Sequence, residues 1–269
     1  LLDYQIARKA PVCFDTIDLN FYDDFFKFLI ERGYSNNSIG TIVKNVKVFM
    51  NEAVERGLTT NLQFKNKRFK VIEENTDAVY LTIEELKKIL ALDLTGNTRL
   101  DKVRDLFLIG CYTGLRFSDL IQLKDDNLIA NGTQVKIRTA KTNEVVIIPL
   151  NSAVKSILTK YDGVPPQIIS NQKMNAYLKE LGQLAKLDNE VLMTSTKGGA
   201  RKSESYKKHE LVTVHTARRS FATNAYLGGV PTISIMKITG HRTEKSFMKY
   251  IKISQEDNAN KLVNHPFFN

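Results

Sequence analysis

Apolar residues recur at intervals of three and four along the N-terminal part of the chain, which is the spacing of one helix face. Residues 19–30 form a first run of this kind, and residues 39–54 form a second run that ends at Gly57. Ser35 or Asn36 is the expected N-cap of the second helix, because short polar side chains satisfy the free N–H groups there. Two helices cannot enclose a core alone, so the pattern predicts a small helical bundle.

A second domain is predicted where this pattern stops. Residues 64–79 begin with a basic and aromatic stretch and then lose helical periodicity. Thr82 and Glu85 have the spacing of a capping box, in which each side chain accepts a hydrogen bond from the backbone of the other. We therefore expect a helical domain over residues 1–75, with a basic linker near its end, and a second domain over residues 81–269.

The second domain begins with helices and then changes period. Residues 100–110 fit a buried helix. Residues 134–138 and 145–149 are rich in β-branched residues and are separated by a short polar turn, which indicates a hairpin. Helical periodicity returns at residues 175–187 and again after His215. The expected fold is mainly α-helical with one small antiparallel β-sheet.

The composition of the 269 residues is that of an ordinary globular protein, with 42% hydrophobic and 25% charged residues. No apolar run is long enough to span a bilayer, and no N-terminal secretory pattern is present. Two cysteines, Cys13 and Cys111, exclude a disulfide framework, so we expect a cytoplasmic protein. The net charge of 39 − 29 = +10 favours a polyanionic partner. Because the chain begins with Leu1 rather than Met, we also expect a segment upstream.

His215 and Arg218 lie three residues apart at the predicted start of a helix, so one turn would present an imidazole and a guanidinium side by side. Both groups donate hydrogen bonds, which suits a phosphate oxygen. Residues 197–219 contain seven Lys or Arg and two Glu, which favours contact with a phosphodiester backbone. A surface pair at a helix start, next to a solvated charged loop, is the alternative at this point.

Three further polar residues follow or precede predicted helix ends. Arg116 comes after a helix stop, and Asp119 could either orient its guanidinium or tie two helices together. His241 follows Gly240 after an apolar helix. Tyr250 adjoins an apolar stripe, where a core tyrosine is the default interpretation.

These residues occur in one order along the chain: Arg116, a lysine in the hairpin turn, His215-x-x-Arg218, Gly240-His241, and a tyrosine nine residues after that histidine. The order and spacing resemble the tyrosine recombinase, or phage integrase, family, which shares its catalytic arrangement with type IB topoisomerases. The resemblance extends over residues 81–252, and the preceding bundle is similar to the SAM-like core-DNA-binding domain of that family. Four positions depart from the commoner pattern without removing a required chemical group; they are Ala217, Arg219, Thr239 and Lys252.

The resemblance implies a site-specific DNA recombinase and gives each residue a role. Tyr250 is expected to attack the scissile phosphate, which forms a 3′-phosphotyrosyl bond and frees a 5′-hydroxyl. Arg116 and Arg218 are expected to clamp the non-bridging oxygens, where charge grows in the transition state. His215 is expected to assist proton transfer at the tyrosine, and His241 to hydrogen-bond a non-bridging oxygen.

Lys141, in the hairpin turn, is expected to protonate the departing 5′-oxygen as general acid. Lys136, Arg138 and Lys155 lie close in sequence and are alternatives, but the turn position matches the family best. The sequence has no carboxylate cluster of the kind that holds Mg²⁺ at phosphates, so we expect no metal and no cofactor.

Double-stranded DNA carrying specific recombination sites is the expected partner. The candidate DNA contacts are basic residues of the first domain, of the segment before His215 and of the helix that follows it; they are Lys44, Lys47, Lys65, Lys67, Arg68, Lys70, Arg201, Lys202 and Arg219. The resemblance further implies a homotetramer on paired sites and suggests accessory DNA-bending proteins.

The C-terminal tail is expected to take part in this assembly. Residues 255–263 are predicted to form a short helix, which residues 264–266 interrupt. Phe267 and Phe268 then need burial, and in the family such segments often dock on a neighbouring subunit.

Two alternatives to a recombinase stay open on the sequence. A regulator could keep the fold and bind DNA without catalysis, although the complete set of six residues argues against it. A relaxing enzyme like the type IB topoisomerases would cut and reseal one strand without pairing two sites, although the small two-domain chain favours a recombinase. The target sequence, and the choice between integration, excision and inversion, are left open.

Overall fold

The computed structural model describes residues 1–166, 169–263 and 267–268. The predicted helix break at residues 264–266 lies outside the described residues. The α-helices are α1 (Leu2–Arg8), α2 (Leu19–Glu31), α3 (Asn36–Glu55), α4 (Ile83–Leu90), α5 (Thr98–Thr113), α6 (Phe117–Leu120), α7 (Ser152–Lys160), α8 (Asn171–Leu184), α9 (Val214–Leu227), α10 (Thr232–Thr239), α11 (Glu244–Met248) and α12 (Gln255–Leu262). The strands are β1 (Leu128–Ile129), β2 (Gln134–Arg138), β3 (Val145–Pro149), β4 (Glu190–Lys197) and β5 (Ala200–Lys207).

The chain forms two compact units. The first unit contains Leu1–Asp77 together with Leu192–Ser205, and the second contains Ala78–Val191 and Tyr206–Asn269. The first unit is therefore completed by a stretch from much later in the sequence. The contiguous division into residues 1–75 and 81–269 stays a prediction.

An aromatic core holds the helices of the first unit together. Phe25 and Phe28 of α2 are almost fully buried, and Tyr4 of α1 meets their rings edge to face at 5.0 and 5.3 Å. The N-cap of α3 is Ser35, whose hydroxyl accepts from the N–H of Ser38 at 3.2 Å, so the structure settles the choice between Ser35 and Asn36. The expected helical bundle is confirmed.

The basic segment after α3 is anchored in this core by its aromatic residues. Phe64 and Phe69 are buried, whereas the four cations between and beside them are exposed. The chain then passes directly over α3 at Gly40, where a Cβ would lie 1.9 Å from the carbonyl oxygen of Ile72. A side chain at Gly40 would push this segment away from the helix.

The stretch before His215 is a second β-hairpin, which the sequence pattern does not predict. Strands β4 and β5 pair with each other, and the turn between them is Gly198-Gly199, both with positive φ. In the first unit, Glu74 accepts from the hydroxyl of Thr196 at 2.8 Å, and Lys197 bridges to Ser35. The prediction of a single sheet was wrong because β5 lacks the apolar alternation of a half-buried strand and its residues are mostly exposed.

In the second unit, α5 is the central helix and is buried along most of its length. The predicted hairpin is confirmed, because β2 and β3 pair antiparallel with Arg138 opposite Val145, and β1 adds a short third strand. The capping box at the start of α4 is also confirmed, since the Thr82 hydroxyl accepts from the N–H of Glu85, and the Glu85 carboxylate accepts from that of Thr82. The fold is mainly α-helical, as predicted, and the described residues form two small antiparallel sheets rather than one.

Candidate active site

Five of the singled-out residues meet at the ends of helices in the second unit. Arg116 caps the start of α6, and Arg218 lies in the first half of α9. His241 follows the C-terminal end of α10, and Tyr250 comes two residues after α11 ends. Together with Asp119 of α6, these residues form what we call the arginine site (Arg116, Asp119, Arg218, His241 and Tyr250).

Arg218 is 3% exposed and is held by backbone carbonyls. Its Nη1 donates to the carbonyl oxygen of Gly114 at 2.6 Å, and its Nη2 donates to that of Thr239. Burial, and after it the charge of Arg116, lowers the pKa of Arg218 to about 10, so the guanidinium remains charged at neutral pH. Its Nε has no hydrogen-bond partner among the described residues and remains a buried, charged donor.

Gly114 supports this arrangement through its conformation. It ends α5 with φ of 68°, in the left-handed region that favours glycine. A Cβ at this position would lie 2.4 Å from the ring of Phe221. Glycine therefore allows the chain to turn sharply between α5 and Arg116 while its carbonyl accepts from Arg218.

Arg116 and Asp119 form a close ion pair that lacks a hydrogen bond. Nη1 of Arg116 lies 3.9 Å from Oδ2 of Asp119, and neither atom has a hydrogen-bond partner among the described residues. The side chain of Asp119 is 1% exposed, and its Oδ1 accepts from the N–H of Ala140 at 2.8 Å. Asp119 thus connects Arg116 to the hairpin turn, and both interpretations made from the sequence, orientation of Arg116 and a structural tie, are compatible with this geometry.

The turn that carries Lys141 is held from two sides. Asp119 binds the residue before it, and Arg242 donates to the carbonyl oxygen of Thr142, the residue after it, at 2.9 Å. Arg242 also pairs with Glu144 at 2.8 Å. The side chain of Lys141 itself is exposed at this turn. A turn fixed on both sides presents one lysine to the neighbourhood of the arginine site.

The three alternatives to Lys141 lie elsewhere on the sheet and its neighbouring helix. Lys136 and Arg138 are on β2, and Arg138 donates to the carbonyl oxygen of Asn143 at 3.1 Å. Lys155 is on α7. The assignment of Lys141 as the general acid stays a prediction.

His241 is in contact with both Arg218 and Tyr250. The rings of His241 and Tyr250 are 4.9 Å apart, and the guanidinium carbon of Arg218 is 5.3 Å from the tyrosine ring. Burial, followed by the charges of Arg218 and Arg116, lowers the pKa of His241 to about 4. The imidazole is therefore neutral at pH 7.

His215 is in the first turn of α9, with part of its ring exposed. Its pKa is lowered first by the burial of the remainder of the ring, and then by the positive charges of Arg219, Arg218, Lys141 and Arg116. His215 therefore lies within electrostatic range of Lys141 and of both arginines of the arginine site. The structure therefore brings the six predicted catalytic residues into one neighbourhood.

The candidate DNA contacts fall mainly in the first unit. Lys47 is partly tied down, because its ammonium donates to the carbonyl oxygen of Phe69 at 2.9 Å, and Arg68 pairs with Asp23 at 3.2 Å. The remaining cations of the first unit are exposed; they are Lys44, Lys65, Lys67, Lys70, Arg201 and Lys202. Arg219 lies in the second unit and is half-buried.

Sequence reasoning missed one polar contributor to the site. The hydroxyl of Thr239 lies 2.8 Å from Nδ1 of His241. Its only sequence signal was a threonine at a position where the family pattern frequently has leucine. Among the described residues, no three His, Cys, Asp or Glu side chains are grouped as a metal site requires, and no helix has the length and apolar character needed to cross a membrane.

Charged donors without protein acceptors, placed around a tyrosine, are typical of an enzyme that acts on phosphodiesters. The model of the phage integrase family matches residues 79–257, and the model of the phage integrase SAM-like domain matches residues 1–71. The tyrosine recombinase XerD of Staphylococcus saprophyticus is 26% identical over 261 residues, which cover 94% of this chain and 84% of the relative.

Solved structures give the same fold. The Tn1549 transposon integrase in complex with circular intermediate DNA has a TM-score of 0.64 at 18% identity, over 94% of this chain and 87% of that chain. A lambda integrase dimer bound to a COC′ core site has a TM-score of 0.66 at 16% identity, over 93% and 85%. The chain belongs to the phage integrase family of tyrosine recombinases, and it is a site-specific recombinase that breaks and rejoins DNA strands.

Proposed function

We propose that Tyr250 is the nucleophile that cuts the DNA strand, and that the arginine site binds the scissile phosphate. The observation that carries this proposal is a pair of buried donors, Nη1 of Arg116 and Nε of Arg218, which have no hydrogen-bond partner among the described residues. The guanidinium of Arg218 lies 5.3 Å from the Tyr250 ring. An unpaired buried polar group costs free energy, and a phosphate oxygen would remove that cost.

The two arginines suit the charge that develops during cleavage. As the tyrosine oxygen attacks, negative charge is spread over the non-bridging oxygens, and donors fixed in advance stabilise it most. Arg218 is fixed by Gly114 and Thr239, and Arg116 is held beside Asp119. The new bond joins the 3′-phosphate to Tyr250, and the bond to the 5′-oxygen breaks.

Proton transfer at the two oxygens falls to His215 and Lys141 in this proposal. The lowered pKa of His215 keeps its ring neutral and able to accept the proton that the tyrosine loses. Lys141, on its fixed turn, supplies a proton to the departing 5′-oxygen.

Neither proton transfer requires a metal ion. Activity is therefore expected to survive EDTA, and loss of activity in EDTA would contradict this mechanism.

The direct test of the nucleophile is the Tyr250→Phe variant on a nicked DNA substrate that traps the covalent complex. The change removes only the hydroxyl, so DNA binding is expected to remain while all covalent adduct disappears. Tyr226→Phe is the matched control, because Tyr226 on α9 packs against the same small core and is the next tyrosine in the region. An adduct that persists in Tyr250→Phe and disappears in Tyr226→Phe would move the nucleophile. The absence of any adduct in the wild type would favour a silent DNA-binding regulator.

We also propose that the exposed cations Lys65, Lys67, Arg68 and Lys70 contact phosphates of double-stranded DNA. Their anchoring by Phe64 and Phe69 supports this, because the segment is held rigid while its charges face outward. Neutralising all four is expected to weaken binding to unrelated sequences alike and to reduce the dependence of affinity on salt. An unchanged salt dependence would contradict the proposal.

The expected assembly is a homotetramer on two paired sites, with the tail docked on a neighbouring subunit. Phe267 and Phe268 support it, because they are 81% and 62% exposed, whereas α12 lies against α9 of the same chain. Deleting residues 254–269 is expected to leave single-site binding nearly intact and to reduce paired-site complexes in a mobility-shift titration. Normal pairing after deletion would show that the tail folds on its own subunit. Failure of the full chain to pair two sites would favour a relaxing enzyme.

The cytoplasm, with accessory DNA-bending proteins at the recombination site, is the expected setting. Cys13 and Cys111 are both free thiols, which supports a reducing compartment.

A further inference from the structure

Arg242 follows His241 directly and reaches across to the turn of the β2–β3 hairpin. Its Nη2 donates to the carbonyl oxygen of Thr142 at 2.9 Å, and its Nε donates to the carboxylate of Glu144 at 3.0 Å. Thr142 is the residue directly after Lys141. One guanidinium therefore connects the loop that carries His241 to the turn that carries Lys141.

The hairpin turn also has contacts that do not depend on this arginine. The N–H of Thr139 donates to the carbonyl oxygen of Glu144 at 2.9 Å, and the hydroxyls of Thr139 and Thr142 lie 2.8 Å apart. A Cβ placed on Gly240 would lie 3.6 Å from the Thr142 hydroxyl, which is ordinary van der Waals contact. Loss of Arg242 would therefore leave the hairpin closed and free only the direction of its tip.

Lys141 has a different anchor on each side. Asp119 is buried and accepts from the N–H of Ala140, the residue before the lysine. Arg242 binds the residue after it, and the side chain of Arg242 is 67% exposed. An ion pair as exposed as this one contributes little to stability. It matters more for a side chain that must deliver a proton, because a small misplacement of a catalytic group slows a reaction strongly.

We propose that Arg242 is a positioning residue, which holds the hairpin turn so that the Lys141 ammonium reaches the departing 5′-oxygen. This inference rests on the proposed role of Lys141 as general acid. The proton passes from the ammonium to the oxygen as the bond between that oxygen and phosphorus breaks. Arg242 takes no part in the transfer, because a guanidinium does not give up its proton. The competing role for an exposed arginine is a direct contact with a DNA phosphate.

The first measurement compares two nicked DNA substrates, one with the natural 5′-bridging oxygen and one with sulfur in its place. Arg242→Ala should form the covalent adduct about tenfold more slowly on the oxygen substrate. On the sulfur substrate it should match the wild type, because that leaving group departs without a proton. DNA affinity and the unfolding midpoint should not change. Equal slowing on both substrates, no slowing on either, or a loss of affinity would overturn the proposal.

The double variant Lys141→Ala/Arg242→Ala provides the second measurement. If Arg242 acts only through Lys141, the double variant should cleave the oxygen substrate no more slowly than Lys141→Ala alone, because the group that Arg242 positions is already absent. A direct DNA contact would act independently of the lysine. Multiplication of the two single effects would therefore overturn the proposal.

Lys245→Ala is the matched control for the loss of one positive charge. Lys245 is an exposed cation on α11, three residues after Arg242. This variant should show no slowing that is specific to the oxygen substrate, and such slowing would contradict the positioning role.

Failure of this inference is distinguishable from failure of the proposed function. If sulfur does not restore cleavage by Lys141→Ala, the general acid itself is refuted, and the role of Arg242 with it. If sulfur restores Lys141→Ala but not Arg242→Ala, only the positioning role is refuted.

Discussion

One ionic cluster of the second unit lies on the N-terminal half of α5 and another lies beyond its C-terminal end, and they differ in how completely their charges are paired. We call the first the Asp105 cluster (Asp101, Arg104, Asp105, Lys160 and Tyr161). The Asp105 carboxylate is 1% exposed and accepts from Arg104 at 2.9 Å, from Lys160 at 2.7 Å and from the Tyr161 hydroxyl at 2.9 Å. Burial, and then the hydrogen bond to Asp105, raises the pKa of Tyr161 to about 12.

The arginine site, beyond the other end of α5, leaves its charges incompletely paired. Two guanidiniums share one carboxylate, which lies 3.9 Å from Arg116, and each retains a buried donor without a hydrogen bond among the described residues. Similar charged residues therefore serve two purposes in this unit. Complete pairing stabilises the fold, whereas incomplete pairing costs stability and leaves donors for a substrate.

The largest effect is expected when the lysine in the hairpin turn near the arginine site is replaced by alanine. The matched variant replaces the lysine of the Asp105 cluster. Lys141→Ala should slow cleavage by about 10²-fold or more, as for loss of a general acid, without destabilising the protein. A substrate with a 5′-bridging sulfur leaves without that proton and should restore the rate. Lys160→Ala, which breaks contacts to Asp101 and Asp105, should lower the unfolding midpoint and leave cleavage unchanged. If the sulfur substrate does not restore the cleavage rate, Lys141 contacts DNA but is not the general acid.

Arg116→Met should separate activity from stability at the arginine site. Loss of one preorganised donor to the developing charge is expected to slow adduct formation by about 10²–10³-fold. The free energy of unfolding should change less than in Asp105→Asn, because Arg116 makes no hydrogen bond to Asp119 and its removal relieves repulsion with Arg218. Single-turnover cleavage and urea unfolding measure the two quantities. A large loss of stability would make Arg116 a structural residue.

Asp105→Asn should have the opposite result, with a lower free energy of unfolding and unchanged adduct formation. The amide keeps the shape but leaves Arg104 and Lys160 without their shared charge, so unfolding should become easier by about 2–3 kcal/mol, below the usual cost of a broken buried pair because Lys160 is 43% exposed. Adduct formation at a temperature well below unfolding should match the wild type. A loss of cleavage in this folded variant would remove the distinction between the two clusters.

Acid should also lower the stability of the fold, through His241 of the arginine site. The pKa of His241 is about 4 in the fold and near 6.5 in the unfolded chain, so the unfolded chain binds the proton first as pH falls. The stability associated with the neutral ring is present above about pH 6.5 and is lost as pH falls towards 4, by at most about 1.4 kcal/mol per pH unit. Plots of the free energy of unfolding against pH for the wild type and for His241→Gln should converge over this window. Parallel curves would contradict the assignment.

Strong local patterns account for what the sequence predicted correctly. The helix face of residues 19–30 became α2, and the alternation of β2 and β3 gave their pairing, because each pattern reflects burial on one side. The β4–β5 hairpin was missed because β5 is mostly exposed, so burial imposes no apolar alternation on it. Only contacts with residues such as Glu74, far away in sequence, place this hairpin in the first unit.

The same limit applies to the site. The spacing of His215 and Arg218 on one helix turn is local and could be predicted. The link from Asp119 to Ala140 and the contact of Arg242 with the Lys141 turn join positions 21 and 100 residues apart, and no sequence period marks them. In the sequence, Thr239 is marked only as a departure from a family pattern. Its hydrogen bonds with Ile235 and His241 become visible only in the structure.

The most direct test of the account is a structure of the Tyr250→Phe variant bound to uncleaved duplex DNA that carries its recombination site. We expect Nη1 of Arg116 and Nε of Arg218 to donate to the non-bridging oxygens of one phosphate, next to the ring of residue 250. The Asp105 cluster should keep all its contacts in the same structure. A phosphate held elsewhere, with these two donors still without DNA contacts, would contradict the central claim that their incomplete pairing serves substrate binding.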